Sequence, residues 1–392
     1  MNLPLPTNPQ PARPEASHTD SAADAVPQPQ SPPPAVAPNS ELPGTILSIQ
    51  VLRFVAALSV VVFHAHIALT NGDPSHVPDA VDHAFRVGAS GVHIFFVISG
   101  FVMVYTSWRS RLTTGSFLKR RAMRIYPIYW LIGAIYLAAH QLLGTPYRLD
   151  GTDVAGAALL LPGYSSLVIG PGWTLSFEMY FYLCFGIALL VGVRRGLILL
   201  SGFYLLSVLA GLFFGRSNAF GLVATDSLLL EFMTGAWLGY AWAHGLVIGP
   251  RLGGAMVIVA LILFASGFWL DYDALPSVAS WGVPSLLLVA GALAFEPQLR
   301  SPLGRFFAKL GDSSYLLYLA HVLLIDLFLA TPIAQLNQGG KSAVLMSFPI
   351  AIACTIIAAF GYEAVELPLL KAVKRLFLPR SPRDVQRSAA VP

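Results

Sequence analysis

From Ile46 to about residue 370 the chain repeats one pattern, an apolar run followed by a short polar break. A helix needs about 20 mostly apolar residues to cross a bilayer. The pattern predicts ten such helices, over 47–69, 90–107, 125–143, 173–192, 197–214, 222–243, 253–270, 279–295, 313–331 and 343–366. Segment 154–169 is also apolar, but Pro162, Gly163 and the Gly170-Pro171-Gly172 run break it. It reads as an outer loop carrying a re-entrant or interfacial helix. The fold expected is an all-α, polytopic membrane protein. Residues 1–43 are a different material. Twelve of the 29 prolines lie there among Ala, Ser, Gln and Thr, too little apolar surface to offset the entropy of ordering. They read as a disordered cytoplasmic tail, without the basic start and apolar core of a signal peptide. Residues 44–370 form the membrane domain and 371–392 a basic cytoplasmic tail.

Composition agrees. Hydrophobic residues make up 55% and charged residues 11%, against about 25% charge in a soluble domain. The mean hydropathy is +0.66. A water-soluble enzyme is excluded, and so is a disulfide scaffold, because the two cysteines, Cys184 and Cys354, sit in apolar runs. The net charge of +4 is small, and the basic residues sort by membrane side rather than forming a nucleic-acid footprint. With the N-terminus placed inside, 19 of the 24 Lys and Arg fall in inner segments and four in outer loops, which predicts both termini in the cytoplasm.

Ionisable groups at membrane depth are costly and are candidates for function. In the first span Arg53 lies near the inner end and His64 in the outer half. They share a helical face about 16 Å apart along the axis. His66 points to the opposite side and has no assigned role. His93 opens the second span, where Gly91 and Gly100 allow close helix packing. Arg121 and Arg124 share one face of the third span's start and suit a phosphate. Glu178 sits in the outer part of the fourth span with Tyr182 one turn on. At matching depth its candidate partner is His64. Ser314, Tyr318 and His321 line one face of the ninth span. Glu366 lies at the inner surface beside Pro368, within reach of a cytoplasmic arginine. Asp226, Glu231 and Asp326 are further acids without an assigned partner. There is no Walker loop, HExxH or Cys/His metal spacing.

The stretches LRFVAALSVVVFHA, GVHIFFVISGFVM, FLKRRAMRIYPIYW, WTLSFEMYFYL, LGDSSYLLYLAH and VELP, taken in order, resemble the acyltransferase-3 family of integral membrane acyltransferases. That family includes O-acetylases of bacterial surface polysaccharides in the inner membrane. The resemblance covers residue 47 to about 370 and implies the stand-alone form, because only about 26 residues follow Glu366. It implies transfer of an acyl group, usually acetyl, from cytoplasmic acyl-CoA to a sugar hydroxyl. It also implies essential roles for Arg53 and His64, with Arg121, Arg124 and Glu178 as further functional positions.

Physical chemistry supplies roles for these residues. Arg121 and Arg124, with Arg53, suit the donor's phosphates. The donor's long arm then threads the bundle towards His64. His64 suits a general base, since an imidazole's ordinary pKa is near 6.5. Glu178 would orient it as the acid does in a catalytic triad. His93, Tyr318, His321 and Glu366 are further candidates. The partners expected are acyl-CoA, a saccharide acceptor and the bilayer, with no metal and no nucleic acid. The acceptor classes considered also include lipid, peptidoglycan sugar and macrolide. The main alternative is a transporter or flippase of a lipid-linked saccharide, with a membrane scaffold or sensor as a third reading.

Overall fold

The computed structural model describes residues 45–70, 77–216, 218–267, 269, 277–337 and 340–377. The Pro-rich segment 1–43 and the last residues of the basic tail lie outside them. The described chain is helical, with no strand among these residues. Its helices are α1 (Leu47–Leu69), α2 (Asp79–Arg86), α3 (Ser90–Ser110), α4 (Thr114–Leu142), α5 (Gly151–Ala158), α6 (Trp173–Ala188), α7 (Val193–Phe214) and α8 (Ala219–Ala224). They continue with α9 (Leu228–Ala243), α10 (Pro250–Ser266), α11 (Val283–Leu293), α12 (Pro302–Asp312), α13 (Ser314–Leu329), α14 (Lys341–Gly361) and α15 (Leu367–Phe377).

Each of the ten expected spans coincides with an apolar helix. Seven are long and apolar enough to cross a membrane, and the bent pair of α12 and α13 makes an eighth. The other two, Pro250–Ser266 and Val278–Leu293, are shorter apolar helices. Boundaries moved where a polar but helix-favouring sequence continues an apolar one. The third span starts eleven residues early, because Thr113 caps α4 and the KRRAMR run is helical. Arg121 and Arg124 therefore sit inside a helix rather than at its start. Residues 302–312, expected as an inner loop, form the amphipathic α12, which meets α13 at 61°. α15 likewise stays helical through Phe377.

α1 is the hub. It packs against α3, α12, α13 and α14. Its first turn has no side-chain cap of its own. Instead the Glu296 carboxylate accepts hydrogen bonds from the Leu47 and Ser48 amides and the Ser48 hydroxyl, each at 2.8 Å. A remote carboxylate thus satisfies the orphan amides at a positive helix end. α3 lies between α1 and α9. Gly91 meets α1 at Ala56, and Gly100 meets α9 at Phe232, with Gly235 of α9 against Val97 in return. At those three points backbones touch where any side chain would intrude.

Residues 159–172 form the broken segment expected from sequence. One side of it is buried, at Leu160, Ser165, Val168, Ile169, Pro171 and Gly172, while Leu159, Leu161, Gly163, Ser166 and Gly170 are exposed. Irregular backbone at this depth needs internal partners. Tyr129 donates to Ala157 and Ser165 carbonyls, Tyr147 to Val168, and Ser176 to Leu160. The segment leads into the first turn of α6, where Thr174, Leu175 and Ser176 are buried.

Candidate functional site

One cavity lies between α1, α3, α4, α6 and α13. Its empty volume, including the open mouth, is about 880 Å³, and it is lined by Arg53, Arg121, Arg124, Glu178, Tyr182, Ser99, Ser314, Tyr315 and Tyr318 among apolar side chains such as Phe95, Val102 and Met103. A few polar groups set among apolar walls are the mixed lining of a small-molecule site. Five of the nine residues singled out from sequence, namely Arg53, Arg121, Arg124, Glu178 and Tyr318, meet here.

Three guanidiniums mark one end. Arg124 donates to Glu366 at 2.7 Å, and its guanidinium lies over the Tyr315 ring. Glu366 is wholly buried, held by the π-helical turn that joins α14 to α15. Arg53 donates to Gln50 at 2.9 Å, and Gln50 donates in turn to Asp312 at 2.5 Å. Arg121 donates to Thr106 at 3.0 Å and packs its plane against Phe117 and Tyr182. Among the described residues neither Arg53 nor Arg121 forms an ion pair with a carboxylate. Arg121 Nε and the hydroxyl of buried Ser314 have no protein partner at all. Two cations and an orphan hydroxyl beside one cavity suit an anionic ligand.

His64 is not among the residues that line the cavity, and the expected Glu178–His64 pair does not form. Glu178 accepts from Ser99 at 2.8 Å and from Tyr182. The cause is the register of α6 against α13. Thr174, in its first turn, meets Tyr318 of α13 at 3.0 Å. From that contact Glu178 lies one turn along α6 towards Ser314 and Tyr315. His321 lies one turn along α13 in the opposite sense. At 1.5 Å per residue the two end up about 10 Å apart along the axis.

His64 instead faces His321. His321 Nε2 is 3.3 Å from His64 Nδ1, and the rings meet edge to face at 4.9 Å. His64 Nδ1 is 2.9 Å from the Val60 carbonyl, and His321 Nδ1 is 2.8 Å from the Tyr318 carbonyl. A carbonyl only accepts, so each Nδ1 carries the hydrogen. His64 Nε2 is left as that ring's basic nitrogen. Tyr318 lines the cavity with its ring 5.8 Å from the His321 ring, so α1 and α13 both run from the arginines to the histidines.

The remaining polar residues sort away from the cavity. His93 bonds both oxygens of wholly buried Glu231 at 2.9 Å and stacks on Trp281. His66, which had no assigned role, binds Asp82 of α2 at 3.1 Å, and Arg86 binds the same carboxylate at 2.6 Å. Asp226 pairs with Arg216 at 3.0 Å, and Asp326 lies 3.9 Å from His140. Sequence reasoning missed Ser99, Thr174 and the Gln50–Asp312 relay. Gln50 was detectable, one turn before Arg53 on the same face. Among the described residues no group of three His, Cys, Asp or Glu could hold a metal ion.

Comparison with known proteins gives three matches that bear on this geometry. The family described as Acyltransferase domain matches residues 46–363. The exopolysaccharide production protein ExoZ of Rhizobium meliloti is 33% identical over 306 residues, covering 76% of this chain and 94% of that protein. The acyltransferase MdmB of Streptomyces mycarofaciens is 27% identical over 363 residues, covering 84% of this chain and 92% of that protein. No solved structure matches.

Proposed function

The chain belongs to the acyltransferase-3 family and is a membrane acyltransferase, and from that premise we propose that it moves an acetyl group from acetyl-CoA to a hydroxyl of a bacterial polysaccharide or its lipid-linked precursor. The observation that carries this reading is the cavity itself. Arg53, Arg121 and Arg124 line it, and so does Tyr318, whose ring packs beside His321, the residue that contacts His64. Acyl-CoA is anionic and cytoplasmic, so the arginine end takes its phosphates and faces the cytoplasm. The apolar wall along α3 accommodates the donor's long arm. The saccharide assignment draws on the relative named for exopolysaccharide production.

The chemistry is addition and elimination at a thioester. The acceptor oxygen attacks the thioester carbonyl while His64 Nε2 takes its proton, which forms the C–O bond. Collapse of the tetrahedral intermediate breaks the C–S bond, and the proton on His64 passes to the departing thiolate. Products are an ester and CoA thiol, with His64 restored. The positive charge on His64 is met by the Val60 carbonyl and the His321 ring rather than by Glu178. Glu178, held by Ser99 and Tyr182, faces the arginines and balances their charge when the donor is absent.

A test uses cells deleted for the gene and complemented with wild type or His64→Ala. Mass spectrometry of surface glycans should show an acyl group lost on deletion and restored by wild type alone. Positioned proton transfer contributes about 10²- to 10⁴-fold in rate, so the variant should lose at least that much while inserting normally. Full acylation by a well-expressed His64→Ala protein sinks the base assignment. Glycans that keep their acyl groups but lose surface abundance would point to transport instead.

A further inference from the structure

We propose that His321 is the positioning residue of the reaction, the group that holds His64 with Nε2 free to act as base; this rests on the reading of His64 given above. His321 is 0% exposed, and both its nitrogens are engaged. Nδ1–H donates to the Tyr318 carbonyl at 2.8 Å, which leaves Nε2 as a lone pair aimed at His64 Nδ1, 3.3 Å away. With no free nitrogen and no exposure, His321 has no means of touching substrate. It acts only through its neighbour.

The effect on His64 is geometric. Its Nδ1–H is shared between two acceptors, the Val60 carbonyl on its own helix and the His321 ring on α13. The carbonyl one turn back sets the tautomer. A single acceptor leaves the imidazole free to swing about that bond. The second acceptor, approaching edge to face from another helix, fixes the ring plane and hence the direction of Nε2. It also gives the Nδ1–H a second acceptor when Nε2 takes up the proton and the ring becomes a cation. A catalytic triad assigns this work to a carboxylate. Here a neutral imidazole does it, so the site acquires no buried negative charge when His64 is neutral.

The test measures transfer from labelled acetyl-CoA into glycan-bearing membranes of the deletion strain, using full-length protein reconstituted in liposomes. The variants are wild type, His64→Ala, His321→Gln, His321→Leu and His321→Asn. Gln places an amide where the ring's Nε2 sits and can accept from His64. Leu matches the bulk without an acceptor. Asn reaches Tyr318 but not His64. The expected result is a drop in kcat of about 10²-fold for Leu and Asn, with KM for acetyl-CoA unchanged, and a rescue by Gln to within about tenfold of wild type. Thermal unfolding identifies a variant that has not folded, and Asn then carries the comparison if Leu fails. Wild-type kcat in Leu or Asn overturns the inference, as does a Gln variant as poor as Leu, or a rise in KM at constant kcat. If wild type transfers nothing, or His64→Ala keeps full activity, the proposed function or its base assignment fails and this inference falls with it. If those two controls behave and the His321 series does not, this inference alone is lost.

Discussion

Single residues in this protein separate into those that face the cavity and those that pair off in its walls. His93 belongs to the second group. Its partner Glu231 is 0% exposed and is held by His93 through both oxygens. Leaving a buried hydrogen-bonding group without its partner costs about 1–3 kcal/mol, more for a charged one. His93→Phe should therefore lower Tm by many degrees while acyl transfer per folded molecule stays within a factor of a few, and a Tm and kcat measured on the same preparation decide it. A collapse of kcat at unchanged Tm would instead bring His93 into the chemistry. At this scale the sequence was informative about identity and weak about pairing. Arg53, Arg121, Arg124, Glu178 and Tyr318 stood out because polar groups are expensive in a membrane, and they do converge. Their partners come from distant helices, and no local pattern encodes which acid meets which base. Glu366 was an exception, since its place near the surface already pointed to an arginine. Glu178 went to Ser99 and Tyr182 because its depth was inferred from a helix start rather than from the register of α6 against α13.

Among the elements, the tightest constraint is the seam of α3 and α9. Gly100, Gly235 and Gly239 let the two backbones touch. A side chain at Gly235 would run into the Val97 carbonyl, which belongs to backbone and has no room to give. Overpacking typically costs about 1–3 kcal/mol where side chains can yield, and more where backbone must move. Gly235→Leu should sharply reduce folded protein, read as loss of the monodisperse peak in detergent, whereas Gly115→Leu, at a glycine with open space around it, should not. The long helices were legible because a run of apolar residues has few alternatives. The short amphipathic ones, α2 and α12, were not. Eight to eleven residues are too few to stand out from a polar loop, and they fold because α1 offers them partners: His66 for Asp82, and Gln50 and Phe54 for Asp312 and Phe307. The segment before α6 was visible as a break, but the hydroxyls of Tyr129 and Tyr147 that bond its backbone lie outside it in sequence.

For the molecule as a whole, the loop charges predict a cytoplasmic arginine end. A Lys119→Cys variant should react with a membrane-impermeant maleimide only after the membrane is opened, while Arg148→Cys should react in intact cells. The opposite labelling would turn the protein over and remove the donor from its arginines. The bonds that close the site join residues very far apart in sequence: Leu47 to Glu296 over 249 positions, Gln50 to Asp312 over 262, His64 to His321 over 257, and Arg124 to Glu366 over 242. Such separations make assembly late and slow. The Arg124–Glu366 pair carries this furthest. Arg124 is made 242 positions before Glu366, its counter-charge. A polypeptide that stops before Glu366 leaves the Arg124 guanidinium in the cavity wall without that carboxylate.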